Sequence, residues 1–167
     1  MTCWSIPTGR APACSELAQE HLSIFANAEQ VTLSGPLITL QPGAVQNLGM
    51  AFHELGTNAA KYGALLTRGG HVQLSREIDE LDDGVRGLTL TRDEQAEASE
   101  PAPPAQASPR RGFGSVVLER VVPIALGGQA SLVRENGRVR WVLRTHLDRL
   151  TMADGDADLG EIIGPMP

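Results

Sequence analysis

The chain has 167 residues, 41% of them hydrophobic but only 4% aromatic, and carries a net charge of −6. That length suits one domain with some irregular extra, and its core must be assembled from Leu, Val, Ile and Ala rather than large rings. The negative balance leaves no broad basic face for phosphates, which speaks against nucleic acid as a partner.

No run of 18 apolar residues appears, so no membrane span is expected. Residues 1–14 are rich in Pro, Gly and Thr, read as irregular, and lack the charged and apolar regions of a signal peptide. Cys3 and Cys14 are too few for a disulfide framework, and the expectation is a cytoplasmic protein with reduced thiols.

From Ser15, a candidate N-cap, to about Ala28, the residues Leu17, Ile24, Phe25 and Ala28 recur at helical spacing. Val31-Thr32-Leu33 and Leu37-Ile38-Thr39-Leu40 read as two short strands joined by a turn at Gly35-Pro36. Pro42 then opens the strongest helix, predicted to run to Tyr62 and to close at Gly63. Its stripe of Val45, Leu48, Phe52, Leu55, Ala59 and Tyr62 is spaced three and four apart, as for packing on a sheet. Val72, Leu74 and Ile78 alternate as a strand, and Leu88-Thr89-Leu90 continues a meander after the Asp82-Asp83-Gly84 turn.

Residues 93–111 hold Pro101, Pro103, Pro104 and Pro109 and no large apolar side chain, which predicts a mobile loop. Gly112-Phe113-Gly114 ends it, and a helix is expected from Ser115 to about Leu126, interrupted by Pro123 and stopped by Gly127-Gly128. Strands at 129–135 and 138–147 form a hairpin across Asn136-Gly137, and residues 148–167 read as an acidic, frayed tail. The order of elements predicts an α+β fold, a two-layer α/β sandwich with helices on one face of a mixed sheet, over residues 15–147.

The chemistry concentrates on the long helix. Glu54, Asn58 and Lys61 are spaced four and three apart and share one face, extended by Asn47 and Ala51. An amide oxygen such as that of Asn58 suits a magnesium ion shared with phosphates, Lys61 offers a point charge, and Glu54 could position water or act as a base. Spacing alone also fits a helix edge whose polar residues simply meet water. The string His53-Glu54-Leu55-Gly56-Thr57-Asn58-Ala59-Ala60-Lys61-Tyr62-Gly63-Ala64-Leu65 resembles the N-box of HWE-type sensor histidine kinases, within the wider group of ATPases that includes gyrase and heat-shock protein 90. Only Gly56 departs from it, where that family usually has Ala. The resemblance implies that Asn58 binds magnesium, that Glu54 activates or positions water and substrate, and that Lys61 and Tyr62 belong to the ATP site.

A second cluster, Arg110-Arg111-Gly112-Phe113-Gly114-Ser115, is similar to the glycine-rich lid end of that family, and it puts Arg111, Gly112, Phe113, Gly114 and Ser115 in the nucleotide site. Gly112 and Gly114 let backbone N–H groups approach an anion at a helix start. The family's Trp-x-Glu signature is altered: Arg92 stands where Trp belongs and Glu94 where the adenine-reading Glu belongs, and the glycines that follow are replaced by 95–99. The residues before Ser15 are too few for the helical hairpin that carries a phosphoacceptor histidine. The resemblance therefore implies an ATP- and magnesium-dependent catalytic domain of a two-component sensor kinase. It would transfer the γ-phosphoryl to a histidine on a separate hairpin, with a response regulator as a further partner. The alternative is a degenerate, scaffolding version of the same fold without kinase activity.

Overall fold

The structure, a computed structural model, describes residues 11–81, 84–97 and 113–151, with Phe113 described by its backbone alone. Its elements in chain order are α1 (Cys14–Leu22), β1 (Val31–Ser34), α2 (Pro42–Tyr62), β2 (His71–Glu80) and β3 (Arg86–Gln95). They continue with α3 (Phe113–Val116), a π-helical turn (Val117–Val121), α4 (Val122–Ala125), β4 (Gln129–Glu135) and β5 (Arg138–His146). The strands form one five-stranded sheet in the order β1-β2-β3-β5-β4. The β1–β2 pair is parallel and the other three pairs are antiparallel. The helices cover one face, giving the expected α+β sandwich. No helix among the described residues is long and apolar enough to cross a membrane.

The helix α2 has the predicted bounds. Pro42 occupies its first turn, where the missing N–H costs no hydrogen bond, and the extended Gln41 leads into it. Leu48, Phe52, Leu55 and Ala59 are buried against the sheet, while Tyr62, at the end of the same stripe, is 58% exposed. Beneath them lie Leu74, Leu90, Leu143 and the fully buried Trp141, whose indole N–H donates to the Leu118 carbonyl at 2.9 Å.

Elsewhere the chain departs from the sequence pattern for physical reasons. Helix α1 is shorter than expected and is entered from Ala13, whose N–H donates to Glu16. Residues 37–40 form no ladder strand; Thr39 bridges Ala13 and Leu40 bridges Thr151 instead. β3 extends to Gln95, so residues 93–95, expected in the mobile loop, belong to the sheet, and residues 98–111 of that loop lie outside the described residues. Pro123 does not break the last helix, because the turn before it widens to π-helical form, with the Val122 N–H donating to the Val117 carbonyl. Asn136 (φ 48°) and Gly137 (φ 77°) make the hairpin turn, both left-handed as a two-residue turn matched to strand twist requires. The fold runs past residue 147: Leu147–Arg149 form a short 3-10 turn and Leu150 is fully buried. Residues 152–167 lie outside the described residues.

Candidate nucleotide site

Three sides of α2 are occupied by different neighbours. One lies on the sheet. A second meets α1 and the turn after it, where small residues let the elements approach closely: His21 lies over Gly49, and Phe25 lies over Gly56. A Cβ at Gly56 would stand 2.7 Å from the Phe25 ring, so the one departure in the helix string has a packing cause. His53, beside Phe25 and His21 on this side, is exposed. Burial lowers the pKa of His21, with Glu20 opposing and His53 adding to the shift.

The third side carries Glu54 and Asn58. Both are half-buried, and no hydrogen bond or ion pair engages either side chain among the described residues. The backbone of Gly114 rests against them: a Cβ there would lie 2.7 Å from Glu54 Oε2 and 3.7 Å from Asn58 Nδ2. A side chain at this position would require the Glu54 carboxylate to shift. Ser115 follows, half-buried, at the start of the last helical segment. Glu54, Asn58 and Gly114, distant in sequence, thus lie side by side, and Lys61 and Tyr62 stand exposed toward the C-terminal end of α2. Arg111, Gly112 and the side chain of Phe113 lie outside the described residues.

A carboxylate, a neutral amide oxygen and close backbone form a donor set that suits magnesium, which is held by one or two protein oxygens and keeps waters and phosphate ligands. Among the described residues, no group of three or more His, Cys, Asp or Glu side chains is placed to hold a metal ion by itself.

Glu94 sits differently. It lies under the C-terminal end of α2, 3% exposed, with Oε2 accepting from Arg92 Nη1 at 2.8 Å. Its Oε1 lies against Gly63 and accepts from the Ala64 N–H at 3.5 Å. Arg92, 1% exposed, also donates from Nη2 to the Leu55 carbonyl at 3.3 Å, while its Nε is buried without a partner. Burial lowers the pKa of Arg92, and the charge and hydrogen bond of Glu94 oppose that. Sequence reading placed Arg92 in this region but did not foresee its buried ion pair with Glu94. The available signal was phase, since Arg92 and Glu94 continue the inward alternation of Leu88 and Leu90.

On the other face of β3, Asp93 is paired with Arg138 and Arg140. Those hydrogen bonds, Arg138 first, hold its carboxyl down at about 2, against the opposing effect of burial. Cys14 is no candidate nucleophile: burial pushes its thiol up to about 11, with Arg76 working the other way.

No protein-family model matches the chain. The blue-light-activated histidine kinase 1 of Erythrobacter litoralis (strain HTCC2594) is 35% identical over 129 residues, covering 76% of this chain and 34% of that protein. This chain is a relative of the histidine kinases. A blue-light-activated histidine kinase of Brucella ovis is 34% identical over 109 residues, 65% of this chain and 21% of that protein. The chain therefore spans about a third or less of the length of these histidine kinases. The histidine kinase domain of Erythrobacter litoralis EL346 superposes with a TM-score of 0.58 at 17% identity, over 81% of this chain and 65% of that one. The catalytic domain of the histidine kinase ThkA gives 0.52 at 11% identity, over 81% and 94%. The fold is that of histidine-kinase catalytic domains, and the HWE-type reading of the α2 string is consistent with the Erythrobacter relatives.

Proposed function

We propose that this chain is the ATP-binding catalytic domain of a two-component histidine kinase, passing the γ-phosphoryl of ATP to a histidine on a dimerisation hairpin carried elsewhere. A response regulator would receive the phosphoryl group in turn. The observation that carries this reading is the meeting of Gly114 with Glu54 and Asn58, two oxygen-bearing side chains on one wall of α2 that have no partner among the described residues.

Asn58 would hold magnesium through its amide oxygen, with Glu54 beside it as a ligand through water. Magnesium, when bound, supplies neutralisation of phosphate charge. Lys61, exposed near the end of α2, would contribute a positive charge, and the backbone at Gly114, beside Glu54 and Asn58, would offer an N–H to phosphate oxygens. Tyr62 offers an exposed ring at the end of α2 on which a base can stack. Glu54 is placed to orient an incoming nucleophile and hold its proton. Catalysis of this kind is positioning and charge compensation, which a preformed wall and a close-packed glycine turn supply.

The test is a titration of the chain with a fluorescent ATP analogue, with and without magnesium, beside Asn58→Ala. The expected result is magnesium-dependent binding that the variant reduces by at least tenfold, with no change in its unfolding midpoint. Binding that ignores both magnesium and the substitution overturns the reading.

A further inference from the structure

We propose that the cavity between the turn after α1 and the loop after α2 binds a small organic anion, an apolar body carrying one carboxylate. It is a second ligand site, apart from the wall of Glu54 and Asn58, and it does not depend on the ATP-binding reading.

The cavity holds about 290 Å³ and is lined by residues 23–27 with Gln30 from one segment and by residues 65–68 from the other. That volume is near the lower end for small-molecule sites, which combine apolar walls with a few placed polar groups. The walls are fixed before any ligand arrives. Buried Gln30 donates from Nε2 to the Thr67 carbonyl at 2.9 Å and to the Gly70 carbonyl at 3.2 Å. Its Oε1 accepts from the Asn27 N–H at 3.1 Å. One side chain thus clamps the two segments together, which spares a ligand the cost of ordering them.

Both segments bring apolar surface to the cavity. Ile24 comes from one and Leu66 from the other, 68% and 60% exposed, with Phe25 and Leu65 beside them in the lining. Isolated apolar side chains are ordinary on a surface, but here four of them line one concavity. Charge decides the head group. The chain as a whole carries −6, yet Arg68 is the one charged residue lining the cavity among the described residues. Arg68 is exposed and makes no hydrogen bond or ion pair among the described residues. A guanidinium matches a carboxylate with two parallel hydrogen bonds. Phe25 is also the ring that lies over Gly56, so the cavity is on the α1 side of α2, away from Gly114.

The experiment is an amide NMR titration of the nitrogen-15-labelled full chain with 2-naphthoate and, in parallel, with its neutral isostere 2-naphthamide. Naphthoate should move the signals of Phe25, Leu66 and Arg68 along one saturating curve, with a Kd below about 1 mM, as ligands of this size attain. Naphthamide should bind about fivefold more weakly, the scale of one solvent-exposed ion pair. Arg68→Gln should weaken naphthoate alone and bring the two probes level, while the signals of residues far from the loop stay in place. Should that variant fail to fold, the two probes on the natural chain still decide the matter. Absence of saturable shifts overturns the proposal, and so do shifts centred on Asn58 and Gly114 instead. Equal affinity for the two probes on the natural chain also overturns it, as does a folded Arg68→Gln that keeps the difference between them.

Discussion

Two carboxylates flank α2, and their circumstances are opposite. Glu54 is half-buried, unengaged among the described residues, and faces the Gly114 backbone. Glu94 is 3% exposed and is held by Arg92 and the Ala64 N–H. One residue type on two sides of one helix therefore serves two ends. An engaged carboxylate holds elements together, and an unengaged one is available to a ligand. Partners, more than position beside the helix, separate structure from chemistry here.

The sharpest way to break that contrast is to truncate both residues. Glu94→Ala strands the Arg92 guanidinium in the core and should cost about 3–5 kcal/mol, read as a large fall in the urea midpoint. Glu54→Ala should stay within about 0.5 kcal/mol of the parent chain, since it leaves nothing buried and unpaired. Equal losses in the two variants would dissolve the distinction. On the α1 side, Gly56→Ala adds a methyl 2.7 Å from the Phe25 ring. It should lose about 1 kcal/mol net, because overpacking outweighs the roughly 1 kcal/mol that alanine gains in helix propensity. In the Phe25→Ala background the same change should turn favourable, and a double-mutant cycle measures the coupling.

The smallest effect concerns Asp93, the engaged carboxylate of the outer sheet face. Its folded-state pKa of about 2 lies below the ordinary 3.8, so its contribution is present above pH 4. That contribution fades as the pH falls from about 4 toward about 2. The stability difference between the natural chain and Asp93→Asn should therefore be slight at neutral pH, weaken with added salt, and vanish near pH 2. A difference that grows on acidification would contradict the pairing.

Much of this arrangement was legible in the amino-acid order. Pro42 and the three-and-four stripe defined α2, and Asn136-Gly137 defined the hairpin, because both signals are local. The wall of Glu54 and Asn58 followed from helical spacing, and Gly114 from its place before a helix. Features that depend on distant partners did not show. Residues 38–40 look like a strand, yet their bonds go to Ala13 and Thr151, far away in sequence. The end of β3, residues 93–95, looked like a loop because it opens a stretch of polar and proline-rich composition, and the place of Asp93 and Glu94 in the sheet makes sense only with their ion pairs in view. A widened turn ahead of Pro123 has no 3.6-residue signature at all.

The extended residues 38–41 have a mechanical consequence. The Leu40 N–H donates to Pro12, the Cys14 N–H to Ile38, and the Gln41 N–H to Leu150, so the two outer ends of the described fold are stitched to one short strap. That strap runs directly into Pro42, the opposite end of α2 from Lys61 and Tyr62. Incoming and outgoing chain thus share a doorway. Torque applied at either end arrives first at the root of α2, about four and a half turns before Asn58.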